Sequence, residues 1–164
     1  MSSHIIMKEA SYLVICVLAI GTLCSCANEP VMEPAIFKGA NATEMEKDLI
    51  RTVNDHRSRS GQVPLSFDEV AYRYANGHTD HMISEGSLNH DGFEIRASGL
   101  AREAGAEAVG ENVATGYKTA QDAFANWYSS ADHRKTMEGD FTHTAASIKK
   151  DGKGNLYYTQ LFYR

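Results

Sequence analysis

The sequence predicts an α/β fold in which helices flank a small, largely antiparallel sheet, a three-layer α-β-α sandwich. Two observations lead there. Helical periodicity runs through the middle of the chain, whereas the C-terminal part changes to strand-like runs around a Gly-rich turn. The final run is also apolar on both faces, which marks a central strand covered from both sides. Helices placed before and between strands bury their apolar faces by layering on such a sheet.

Three stretches share capping-box spacing, in which a hydroxyl caps the helix and an acidic side chain three residues on reaches back. They are Thr43-x-x-Glu46, Ser66-x-x-Glu69 and Thr119-x-x-Asp122. After the first, Leu49, Ile50 and Val53 recur at helical spacing until Gly61 and Pro64 stop the segment. After the second, Phe67, Val70, Ala71, Tyr74, Ala75, His78 and Met82 form one apolar stripe. After the third, Ala120, Ala123, Phe124, Trp127 and Tyr128 do the same. A shorter, poorly patterned helix spans Phe93 to Ala104, weakened by Gly99.

Strands are expected at Glu107 to Thr115, Thr142 to Lys150 and Leu156 to Tyr163, the last two joined by the hairpin loop Asp151-Gly152-Lys153-Gly154-Asn155. With 164 residues, 43% hydrophobic and 9% aromatic, the chain has enough apolar material for one core and no sign of a second domain. Its net charge of −5, with no basic stripe, argues against nucleic-acid binding, which rests on neutralising phosphates with Lys and Arg.

The start of the chain reads as an address. Tyr12 to Leu23 is an apolar run too short to span a bilayer comfortably, and it follows Lys8 as a signal-peptide core follows its basic end. Leu23-Cys24-Ser25-Cys26 resembles a bacterial lipobox, with Cys26 as the lipidated thiol. The expected division is a signal at residues 1–25, lipidated Cys26 and a Pro-containing tether over residues 26–42, then a domain at 43–164. Translation can start at Met1 or Met7 without changing the mature protein. An ordinary cleaved signal and a freely secreted protein is the alternative to an anchor at the outer or plasma membrane. Cys16, Cys24 and Cys26 all precede the domain, so it holds no disulfide and depends on burial alone.

Histidines carry most of the remaining chemistry. His56 and His143 have no evident partner and read as surface or half-buried residues. His78 and His81, three apart on a helix, have the spacing of a chelating pair without a third ligand. His90 lies in the turn Asn89-His90-Asp91-Gly92, Glu111 in Gly110-Glu111-Asn112, and His133 just beyond the Trp127 helix. If the sheet brings these three together, Glu111 orients an imidazole, or the two imidazoles bind a divalent metal. Otherwise they are three unrelated structural positions.

The order of motifs is more telling than any one of them. Val53-Asn54-Asp55-His56-Arg57, Pro64-Leu65, Asn89-His90-Asp91-Gly92, Gly110-Glu111-Asn112-Val113-Ala114, Trp127-Tyr128-Ser129-Ser130-Ala131-Asp132-His133-Arg134 and Tyr157-Tyr158-Thr159-Gln160 resemble the bacterial branch of the CAP (SCP-like) superfamily. That superfamily includes cysteine-rich secretory, antigen 5 and pathogenesis-related proteins. The resemblance runs from about Thr43 to the end and implies an α-β-α sandwich with a cleft that holds two His and two Glu in eukaryotic members. His90 matches the first His and Glu111 the Glu of G-E-N. Ser130 stands where the second Glu is expected and Tyr157 where the last His is, leaving His133 as a substitute in the cleft.

The resemblance thus implies a cleft lined by His90, Glu111, Asn112, Ser130, His133 and Tyr157. A binding module for a lipid, sterol, glycan or peptide, monomeric and without a required cofactor, is the expected role. Its partners would be the membrane, through the lipid on Cys26, and a small molecule or cell-surface protein. The alternative is a metal-assisted hydrolase, with His90 and His133 holding a divalent ion such as zinc and Glu111 as general base. No G-x-S-x-G elbow marks Ser87 or Ser130 as a nucleophile.

Overall fold

A computed structural model describes residues 39–164; the signal segment, Cys26 and the tether through residue 38 lie outside the described residues. Five helices and four strands follow in the order α1 (Thr43–Arg59), β1 (Ser66–Phe67), α2 (Glu69–Glu85), α3 (Phe93–Ala104), β2 (Val109–Thr115), α4 (Ala120–Ser129), α5 (Ala131–Met137), β3 (His143–Lys150) and β4 (Leu156–Tyr163). The strands form one sheet in the order β1-β3-β4-β2, antiparallel except for the short parallel pairing of β1 with β3. The expected sandwich is observed.

Every residue of β4 is buried. Side chains alternate across a strand, so Leu156, Tyr158 and Phe162 enter one core with Leu49 and Val53 of α1 and Ala123 and Trp127 of α4. Leu161 and Tyr163 enter a second core with Ala71 and Ala75 of α2 and Leu100 of α3. Tyr157 joins a third group with Met82, Ile83 and Val113. A strand covered on both faces needs apolar residues at every position, which is why its sequence lacks the usual alternation.

Of the three expected capping residues, one caps its helix, without the reciprocal carboxylate bond of a full box. Thr119 caps α4, its hydroxyl accepting from the Asp122 N–H at 3.1 Å. The first helix begins after Ala42 with no side-chain cap, and Glu46 turns instead to the sheet edge. There its carboxylate accepts the Ile148 N–H at 2.8 Å and the Tyr72 hydroxyl at 2.8 Å. In the second case Ser66 and Phe67 are spent on β1, and Asp68 caps α2 by accepting from the Ala71 N–H at 2.8 Å. A carboxylate at a helix N-terminus outcompetes a hydroxyl two residues earlier because it also meets the positive end of the helix dipole. Phe67 is consequently exposed rather than part of the α2 stripe.

Pairing to the sheet reaches the residues just before α1. Asn41 bridges to Lys149 and the Ala42 N–H donates to the Ile148 carbonyl at 2.8 Å, so these two residues belong to the sheet rather than to the tether. Gly99 is well suited to its helix, because a Cβ there would collide with the Tyr74 ring of α2. Among the described residues, no helix is long and apolar enough to cross a membrane.

Candidate functional site

The cleft is built where α3 and α5 flank the outer strand β2. Glu111 is its centre. Its side chain is 1% exposed and is gripped by Arg96 of α3, with Nε 2.7 Å from Oε2 and Nη2 2.8 Å from Oε1. This two-pronged geometry is the strongest form of carboxylate pairing. His90 adds a third bond, its Nδ1 2.8 Å from Glu111 Oε1, while its ring is 53% exposed at the mouth. A carboxylate receiving Nδ1–H leaves the outer Nε2 of His90 facing solvent.

The turn that presents His90 is fastened from within. The Asn89 side chain accepts the Asp91 N–H at 3.0 Å, and Gly92 takes the left-handed conformation (φ 70°) that starts α3. Arg96 Nη1 donates to the Asp91 carbonyl at 2.7 Å, and His78 Nε2 donates to the Asn89 carbonyl at 2.9 Å. His78 is buried in α2, 3.8 Å from Glu111 Oε1, and its Nδ1 has no protein partner among the described residues. Burial pushes its pKa below the usual imidazole value, outweighing the nearby carboxylate and aided by Arg96. The ring of His81 stacks on it at 6.0 Å.

His133 faces the cleft from α5. Its Nδ1 lies 2.8 Å from the Ser130 hydroxyl, and its carbonyl accepts from Asn112 Nδ2 at 3.0 Å. Partial burial lowers its pKa, and His90 lies near enough for its charge to oppose protonation further. The approach of α5 to β2 requires Gly110, since a Cβ there would sit 2.9 Å from the Thr136 methyl and 3.0 Å from the Phe141 ring. Behind the site, the fully buried Trp127 ties α4 to the strand, donating Nε1–H to the Val113 carbonyl at 3.1 Å.

Of the expected cleft residues, His90, Glu111, Asn112, Ser130 and His133 converge. Tyr157 lies elsewhere: it stands opposite Thr115, four residues along β2 from Glu111, which at about 3.3 Å per residue is roughly 13 Å away. It is buried against Met82 and Ile83. His56 is also unlike its expectation, being buried between Phe124 and Tyr128 with its Nε2 2.8 Å from Glu138 Oε1. His143 stacks on Tyr163 at 4.8 Å. Sequence reasoning misses Arg96, although its place four residues before Leu100, on the buried stripe of α3, is the signal that identifies it.

Both Glu111 oxygens are taken by Arg96, and among the described residues no group of three or more His, Cys, Asp or Glu is arranged to hold an ion. The same occupation removes Glu111 as a ready base, because a proton acceptor needs an oxygen free to reach the substrate.

The family model of the cysteine-rich secretory protein family, CAP, matches residues 50–162. Uncharacterized protein YkwD of Bacillus subtilis is 26% identical over 131 residues, covering 75% of this chain and 48% of that protein. Secreted protein RBT4 of Candida albicans is 28% identical over 95 residues, covering 58% and 23% respectively. The chain therefore spans half or less of the length of these curated relatives. Among solved structures, an outer surface protein of Borrelia burgdorferi superposes with a TM-score of 0.69 at 15% identity, covering 77% of this chain and 98% of that one. An extracellular SCP-domain protein of Bacillus anthracis gives 0.63 at 25% identity, covering 74% and 41%. With the family model matching well over half of the chain and the fold shared with solved SCP domains, the protein belongs to the CAP, or cysteine-rich secretory protein, family.

Proposed function

We propose that the protein is an extracytoplasmic binding module, tethered by a lipid on Cys26, whose His90/Glu111/His133 cleft holds a ligand without transforming it. The carrying observation is the saturation of Glu111. A carboxylate locked to a buried guanidinium fixes His90 in orientation and presents its Nε2, which suits recognition rather than proton transfer. The names of relatives from Bacillus anthracis and Candida albicans, extracellular and secreted, agree with the export signal read at the N-terminus.

Hydrolysis is the weaker reading. Zinc on His90 and His133 alone lacks the third protein ligand that catalytic sites keep. Ser130 does contact His133, but among the described residues no acid orients that imidazole from its other nitrogen. The test is to screen a chemically mixed small-molecule and peptide library against the full chain, reading the imidazole resonances of His90 and His133. In parallel, peptide and ester libraries are assayed for turnover with and without zinc. The expected result is a binder whose affinity drops at least tenfold in His90→Ala, with no turnover. Turnover that disappears in both His90→Ala and Glu111→Gln establishes the hydrolase instead.

A further inference from the structure

Main-chain hydrogen bonds of the sheet edges point to the ligand's class. In β2 the even-numbered residues face β4, as the flanking bonds Arg164 N–H to Ala108 O (3.1 Å) and Gly116 N–H to Leu156 O (3.1 Å) require. Val109, Glu111 and Val113 therefore turn their N–H and C=O groups outward. The Val113 carbonyl is taken by Trp127. Among the described residues, the N–H and C=O of Val109 and Glu111 have no partner, whereas at Val113 the fully buried Trp127 closes the edge. Glu111 is 9% exposed as a residue but 1% as a side chain, so what solvent reaches it reaches its main chain.

The opposite edge is treated differently. On β3, Thr144 accepts from the Asp68 N–H, and Ile148 both donates to Glu46 and accepts from Ala42, which leaves a gap of one residue at Ala146. The unpaired stretch from Val109 to Glu111 on β2, beside the cleft, is a template for another strand.

We propose that the cleft's ligand is an extended peptide from another protein, which adds to the outer edge of β2 as a fifth strand. The proposal rests on the binding reading above and names its ligand. Unpaired groups recurring at every second residue match the two-residue repeat of an extended backbone, and no compact small molecule offers that repeat. Glu111 belongs to both systems, its carboxylate holding His90 and its main chain lining the edge. His90 approaches from the α3 side and His133 from the α5 side, so alternate side chains of the added strand meet one imidazole or the other. A groove of about 770 Å³ continues from Val109 and Gly110 along α5, past Asp132, Lys135 and Gly139, with room for flanking side chains. Asp132 and Lys135 carry opposite charges and make no ion pair among the described residues. That mixed rim complements a peptide of balanced charge and offers nothing to a polyanion.

The experiment selects binders to the full chain from random phage-displayed heptapeptides and resynthesises them with N-methyl groups at alternate residues. One alternate set is expected to weaken binding at least tenfold and the other to leave it unchanged, because only every second peptide N–H faces β2. Amide hydrogen exchange at Val109 and Glu111 should slow in the complex. Peptides that bind with no dependence on methylation register, or that protect other amides, overturn the proposal. So does protection of the same two amides in the chain alone together with sedimentation as a dimer, which assigns the edge to self-pairing. If no peptide is selected while a small molecule still shifts His90 and His133, the peptide proposal falls and the binding module stands; if nothing shifts them, both fall.

Discussion

Arg96 and Glu111 hold each other at 2.7 and 2.8 Å across two parallel bonds, with the carboxylate closed to solvent and the guanidinium nearly so. Removing one member of a buried pair strands the other's charge, which destabilises by about 3–5 kcal/mol. Arg96→Ala is expected to show a loss of that order in urea unfolding. The double variant Arg96→Met/Glu111→Leu should lose much less than the sum of the single changes, because no charge is left unpaired. Additive losses in the cycle argue that the two side chains act independently.

Stability should fall on mild acidification. His78 has a folded pKa below its ordinary value, so the unfolded state binds more protons once the pH drops below about 6.5. Native stability supplied by the neutral ring is complete above that point and declines as the pH falls toward the folded pKa. His133 shifts in the same direction and adds to the slope. Thermal unfolding between pH 7 and pH 5 measures it, and His78→Gln, which keeps a donor for the Asn89 carbonyl, should flatten the profile.

Gly110 is expected to accept a side chain only at a cost in stability. The methyl of Gly110→Ala would meet Thr136 and Phe141 at 2.9 and 3.0 Å, and overpacking of this kind destabilises by about 1–3 kcal/mol. Relief comes from the Thr136 and Phe141 side chains giving way, which repacks α5 around Thr136. The observable beyond a lowered Tm is therefore a changed His133 imidazole resonance, with that of His90 unchanged.

The anchor has its own test. Cys26→Ala should shift the protein from the detergent phase to the aqueous phase on Triton X-114 partitioning, since the substitution removes the thiol proposed to take the lipid. Equal partitioning of wild type and variant rejects the anchor.

Much of this architecture is legible in the residues, and the gaps have physical causes. α2, α4 and β4 announce themselves because long periodic or wholly apolar runs leave one way to be buried. His90 and Glu111 can be paired only through the order of motifs, as twenty-one positions separate them and no local rule brings them together. Arg96 is invisible to a search for apolar stripes because it fills a stripe position with a charge. β1 is two residues long and has no period to detect. Ser66-x-x-Glu69 and Asp68 compete for one helix start, and the parallel pairing of Ser66 and Phe67 with β3 adds to the advantage of the Asp68 carboxylate. Motif position puts Tyr157 in the cleft, and strand register overrules position.

Within the described sheet, β2 has a single strand neighbour, and that neighbour is β4, encoded about forty residues later. Assembly of the strand that carries Glu111 must wait until the later one has been made and docked, since closing so long a loop has to precede any reward from pairing. The surface around Glu111 thus forms only once β4 has docked, and a chain cut short before Leu156 presents none of it.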